Sequence, residues 1–201
     1  MTLPVAAPRR QVHTRQVVFS GFLRDDGLWD IEAELRDTKP YASQDRERGM
    51  LEPGQPFHLM RARLSVDNDF IVHALNFEMA EVPFQYCESA DPDFSSMIGM
   101  SVGRGWKQAL DARIGGNKGC AHLRELMYGL STAAFQTISP YREQFMPELG
   151  APVSPRTGAP FFLDGCYTWK RSSPVVMTYY PEFAQAADDV AGKTSDASTQ
   201  G

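Results

Sequence analysis

Hydrophobic and polar residues alternate most regularly between Trp29 and Arg36, where Trp29, Ile31, Ala33 and Leu35 interleave with Asp30, Glu32, Glu34 and Arg36. A period of two predicts a strand with one face in the core and the other in water. The stretch ahead of it, His13 to Leu23, carries Val17, Val18, Phe19 and Phe22, and Asp25-Asp26-Gly27 supplies a turn whose glycine tolerates positive φ. Together these predict a hairpin. A second hairpin is predicted from Pro56, in which His58, Met60, Ala62, Leu64 and Val66 share a phase, Asp67-Asn68-Asp69 turns, and Phe70 to about Val82 returns. A two- or three-residue turn sets His58 opposite Phe77 or Glu78. Between the hairpins, Thr38 to Pro56 is rich in charge, Gly and Pro, has neither period, and is expected to be a loop.

The period then changes to the three-and-four spacing of helices. Asp91 or Asp93 opens a short helix carrying Phe94, Met97 and Ile98, and Gly103-Arg104-Gly105 breaks it. Trp106, Ala109, Leu110 and Ile114 give the next helix its buried side. After Gly115-Gly116-Asn117-Lys118-Gly119, a longer helix from Cys120 to about Ile138 buries Leu123, Leu126, Met127, Leu130, Ala133, Ala134 and Ile138. Beyond Ser139-Pro140 the period is lost among prolines, until Val175 to Tyr180 reads as a strand. Strands first and helices afterwards predict an α+β fold: an antiparallel sheet of two hairpins with helices on one face, plus a C-terminal extension. The expected division is a core domain over 12–140, a proline-rich extension over 141–183 packed on it, and a disordered tail over 184–201.

Composition narrows the function classes. A net charge of −5 and the scattered positions of Arg9, Arg10 and Arg15 exclude a nucleic-acid surface, which needs clustered cations. No apolar run approaches a membrane span, and the N-terminal charges follow rather than precede a short apolar piece, the wrong order for a secretory signal. A cytoplasmic protein is expected. Three widely separated cysteines, Cys87, Cys120 and Cys166, suit thiols available as ligands or nucleophiles better than a disulfide framework.

Chemistry is expected at the head of the long helix, where Cys120 and His122 stand among backbone N–H groups that lack helical partners. The candidate metal ligands are Cys87, Cys120, His58 and His122, with Cys166 in reserve, because thiolate and imidazole are donors that zinc and iron prefer to water. Cys120 and His122 could share an ion only with Cys120 at or before the helix cap, since residues two apart diverge within a helix. Taken singly, each cysteine reads better as a small buried hydrophobe than as a ligand, and only for the cluster as a whole do the two readings balance. His73 and His13 are expected to be structural and exposed, respectively. Asp25, Asp26, Asp30 and Lys39 around the first turn read as turn and surface charges before they read as acid and base groups. No Gly-x-Ser-x-Gly elbow or phosphate-binding loop is present, so Cys120 is the candidate catalytic nucleophile.

Arg24-Asp25-Asp26-Gly27-Leu28-Trp29-Asp30-Ile31-Glu32, Gly119-Cys120-Ala121-His122-Leu123 and Asp164-Gly165-Cys166 resemble the marks of a bacterial family known only as a domain of unknown function. A looser resemblance is to the NifU-type iron-sulfur scaffold fold. It is carried by Pro56-Phe57-His58-Leu59-Met60 entering a strand, an Asp-Asn turn, a return strand leading to a cysteine, and a helix opened by Cys120-x-x-Leu123. That resemblance places Cys120 at the family's last cysteine, Cys87 near its middle one and His58 at its aspartate. It implies a metal-binding accessory protein holding zinc, iron or an iron-sulfur unit and serving a client enzyme. The alternative expectation is a metal- or thiolate-dependent enzyme acting on a small substrate, aromatic ones included.

Overall fold

The computed structural model describes residues 2–90, 92–103, 105–149, 159–160 and 162–185. The chain divides into two compact units, Met1–Pro152 and Val153–Gly201. The first is an α+β unit built on a four-stranded antiparallel sheet in the order β1-β2-β5-β6, with β1 at Thr14–Leu23, β2 at Trp29–Thr38, β5 at Pro56–Val66 and β6 at Val72–Glu81. A small second sheet pairs β3, Ser43–Asp45, with β4, Gly49–Leu51. Two helices follow, α1 at Trp106–Ile114 and α2 at Ala121–Phe145.

Alternation along β2 sets the layers. Trp29, Ile31, Ala33, Leu35 and Asp37 are buried, while the residues between them are half-buried. The register Leu35 to Met60, Ala33 to Ala62 and Ile31 to Leu64 continues that inward face across β5. α2 covers it with Leu123, Leu126, Met127, Leu130, Ala134 and Ile138, all fully buried. Those six residues follow the stripe expected from the sequence. α1 packs on α2 through Trp106, whose indole N–H donates to the Met127 carbonyl at 3.0 Å. The opposite sheet face is open and charged: Arg61 bridges Glu34 and Glu78, and Arg63 pairs with Glu32.

Helix and sheet approach closely over β1. A Cβ on Gly21 would stand 2.7 Å from the Thr137 Cβ of α2, with the Thr137 Oγ1 and Cγ2 closer still, and one on Gly129 would meet the Phe19 ring. Glycine at both places lets the edge strand lie against the helix. β1 thereby carries its first residues, and His13 just ahead of them, to the head of α2.

Several expectations are corrected. The Thr38 to Pro56 loop contains the β3-β4 hairpin, because the Asp45 carboxylate accepts from the Glu47 and Arg48 N–H groups at 3.0 Å each and so closes a local turn. The β5-β6 connection is longer than three residues: Val66 pairs with Val72, and Leu59 rather than a residue well beyond it faces Glu81. Phe70 takes a left-handed φ of 62° there, its buried ring beside Phe135. His58 therefore does not face Phe77 or Glu78; its strand partner is Asp37.

α2 does not stop at Ile138 but runs through Pro140 to Phe145. Pro140 and Gln136, whose carbonyl the proline leaves without a helical donor, are both on the solvent side. The last turn is anchored by Tyr141, edge-on to Trp29 at 5.5 Å, and by Arg142, which donates to the Asn68 carbonyl at 2.5 Å. Only Ser95–Met97 of the expected helix around Phe94 is helical, as a single 3-10 turn, and Asp91 lies outside the described residues.

In the second unit the Val175 to Tyr180 strand is instead a helix, α3, at Pro174–Tyr179. Ser173 caps it, its hydroxyl accepting from the Val176 N–H at 3.1 Å, and Pro174 occupies the first turn, so cap chemistry overrides the β-branched composition. Phe162, Trp169 and Tyr180 form a triangle of rings 4.6 to 5.8 Å apart. Residues 150–158 of the expected extension and 186–201 of the expected tail lie outside the described residues. No helix among the described residues is long and apolar enough to cross a membrane.

Candidate functional site

Asp37 is a charged residue on the inward phase of β2, one step past Leu35, with its side chain almost wholly buried. Such a carboxylate must be compensated. Arg15 of β1 grips it with a two-pronged fork, Nε to Oδ1 at 2.8 Å and Nη2 to Oδ2 at 2.7 Å, and reaches on to Glu125 of α2 at 2.6 Å. His13 Nε2 lies 3.0 Å from Oδ1, and His58 Nδ1, from the facing position on β5, lies 3.0 Å from Oδ2. His122, in the first turn of α2, brings its Nε2 to 4.0 Å from the same Oδ2. Three of the chain's four histidines thus converge on one carboxylate.

One ligand atom from each of Asp37, His58 and His122 lies within 4.8 Å of the other two. The His58 and His122 rings face each other, centroids 3.8 Å apart and planes tilted by 31°. Cys120 is the N-cap of α2, with φ −76° and ψ 127°, so its side chain leaves the helix direction and Sγ stands 3.9 Å from His122 Nδ1. The thiol therefore addresses the ring nitrogen opposite the one that faces Asp37.

The electrostatics follow from these contacts. Burial pushes the Asp37 carboxyl up, but the Arg15 fork, with His13 and His58, more than offsets it and holds the group at about 2. Burial and the adjacent His122 push His58 below its ordinary value against the pull of Asp37. Burial raises Cys120, yet the His122 ring and the backbone N–H groups of Leu123 and His122 outweigh it and leave the thiol lowered. The site combines an ionised carboxylate with an imidazole biased toward its neutral form, the protonation states a cation requires.

Residues 13–136, well over half of the chain, match the family described as Protein of unknown function (DUF2889). The chain belongs to that family. No curated protein and no solved structure matches it. The span matched to DUF2889 starts at His13 and contains Arg15, Asp37, His58, Cys120, His122 and Glu125, so the whole cluster lies inside the family's own region.

Of the ligands expected from the sequence of this DUF2889 chain, the fold brings His58 and His122 together and sets Cys120 beside His122. Cys87 stands on a separate 3-10 turn, Gln85–Ser89, half-buried and not a member of the three-residue group; Cys166 is exposed and belongs to the second unit. His73 pairs with Asp67 at 2.8 Å. Asp26 and Asp30 are engaged by Arg24, and Lys39 donates to Ser43 and lies 4.0 Å over the Phe57 ring. Asp37, His13 and Arg15 escaped the sequence reading. The signal for Asp37 was present: continuing the Trp29-to-Leu35 alternation by one step puts an acid where the pattern demands an apolar residue. His13 and Arg15 carry no such mark, because their partners are distant in the chain.

Proposed function

We propose that this chain is a metal-binding protein that holds one divalent transition-metal ion between Asp37, His58 and His122. The observation that carries the reading is the convergence of these three donors, from β2, β5 and α2, within 4.8 Å of one another. Two ligands each about 2.1 Å from an ion are about 3 Å apart at a right angle and about 4 Å apart near 145°. The separations of Oδ2 from His58 Nδ1 and His122 Nε2, 3.0 and 4.0 Å, fall in that range. An ion entering there replaces the proton between His58 and Asp37. Nitrogen and oxygen donors favour zinc or iron(II) as a single ion over the iron-sulfur unit that a thiolate set would take. Cys120 then serves as the partner of His122 Nδ1, orienting the ring rather than touching the metal. Three protein ligands leave coordination positions for a substrate or for a client's donor, as in an accessory protein. The three cysteines, all unbridged, suit the reducing cytoplasm.

The test is metal content and thermal stability of protein purified without an affinity tag, then stripped and titrated with zinc or iron(II). Saturation at a hundred times Kd stabilises the fold by about 2.7 kcal/mol, which is about 5–10 °C for a domain of this size. His122→Gln should abolish that gain while leaving the stripped protein folded. A gain equal in wild type and variant, or no binding at all, overturns the assignment.

A second reading rests on Cys120 itself, whose lowered thiol beside His122 is the arrangement of a cysteine nucleophile with its base. Rapid iodoacetamide labelling of Cys120 in the stripped protein, suppressed in His122→Gln and indifferent to added metal, favours that enzyme over the metal site.

A further inference from the structure

The two edges of the main sheet are treated very differently. β6 is bulged against β5 at two places, carries His73, Glu78 and Glu81, and has its first residues covered by the chain at 99–102, through Gly99 N–H to the Val72 carbonyl and Val72 N–H to the Met100 carbonyl at 2.8 Å each. Charge, bulging and cover are the usual protections of an edge against pairing with another strand. Among the described residues β1 has neither the bulges nor the cover. It is ten residues long, pairs with β2 from Thr14 to Leu23 without a register shift, contains no proline, and has one charged side chain, Arg15, which is turned to Asp37 and Glu125. On its open face Val18 is 58% and Phe22 49% exposed.

We infer that β1 is an interface for a second copy of this chain, pairing antiparallel with the same strand across a two-fold axis to join two four-stranded sheets into one of eight. The sequence of β1 is compatible with itself in this arrangement. An axis near the middle of the strand sets Arg15 of one copy against the uncharged 21–23 end of the other, so like charges do not meet, and Val18 and Phe22 of the two copies share a face. An edge about 33 Å long and 10–15 Å thick covers roughly 330–500 Å² per copy, roughly 660–1,000 Å² in all, whose upper end is the lower limit for a specific association. The dimer is accordingly one that dissociates on dilution. Because each Arg15 lies near one end of its strand, the two Asp37 clusters fall at opposite ends of the shared ribbon.

The experiment is sedimentation velocity of the full chain from about 1 to 100 μM, alongside Val18→Lys/Phe22→Lys, whose changes are at exposed positions. The wild type should rise with concentration from the 22.4 kDa monomer toward twice that mass, and the double variant should remain a monomer with an unchanged circular dichroism spectrum. A wild type that stays monomeric, or a variant that associates equally well, overturns the proposal. If the variant fails to fold, amide exchange of the wild type decides: β1 amides should gain protection with concentration. Protection that is constant with concentration, or absent throughout, overturns it.

Discussion

Gly21→Ala should destabilise this protein, although alanine is normally the better residue in a strand by about 0.5–1 kcal/mol. The added Cβ would stand 2.7 Å from the Thr137 Cβ, and nearer than that to both of the atoms beyond it. Carbon atoms in contact prefer about 3.5–4 Å. Turning the threonine cannot relieve the overlap, because its own Cβ, fixed to the α2 backbone, is already too close. The strand or the helix must therefore move. Overpacking of this kind costs about 1–3 kcal/mol; less the intrinsic gain, the net loss is up to about 2.5 kcal/mol, or up to about 5–10 °C in Tm for a unit of this length. Urea unfolding of wild type, Gly21→Ala, Thr137→Ala and the double variant closes the cycle. Thr137→Ala removes the two nearest atoms, so Gly21→Ala should cost at least about 1 kcal/mol less in that background. Additivity within about 0.5 kcal/mol, or a Gly21→Ala protein more stable than wild type, refutes the close approach of β1 to α2.

Trp106→Phe, which removes the indole N–H bonded to the Met127 carbonyl and leaves a void between α1 and α2, should cost about 1–3 kcal/mol in urea unfolding; an unchanged midpoint counts against that contact. Asp45 is raised by burial but lowered further by the Arg48 and Glu47 N–H groups and the Arg48 guanidinium, so its folded carboxyl lies below the unfolded one. Its stabilisation is therefore complete above the unfolded value, about 4, and lost as pH falls through the folded one. The stability gap between wild type and Asp45→Asn should accordingly be widest at neutral pH and close in acid, and a gap constant down to pH of about 3 would contradict the assignment. Ser173→Ala deletes the cap of α3, and its amides should exchange about fivefold faster, for a loss of about 1 kcal/mol; unchanged exchange there would mean the hydroxyl does not hold the helix.

Where a single local rule governs an element, the sequence was enough. The period of two fixes β2, the stripe from Leu123 to Ile138 fixes the buried side of α2, and the glycines before Cys120 place its cap. Errors arise where two rules compete. Pro140 argues for an end to α2, but it faces solvent and the following Tyr141 and Arg142 are held by Trp29 and Asn68. Val175, Val176 and Tyr179 favour extended backbone, but the Ser173-Pro174 start settles a helix. The hairpin register turned on Phe70 adopting a conformation that side chains rarely take. At the site, His58 and His122 were visible as donors and Asp37 was not, since a carboxylate announces itself only when the strand phase is carried to its end.

Asp37 and His58 are 21 positions apart, and His122 belongs to an element formed from a much later part of the chain. No hairpin contains the cluster, and no helix does. During refolding, β2 can find β5 and α2 can form alone without bringing the three side chains together; only the docking of α2 completes the set. The cluster is thus a clock hand for the last step of assembly. A spectroscopic probe responding to it would stay silent through the formation of secondary structure and move with the closing of the core.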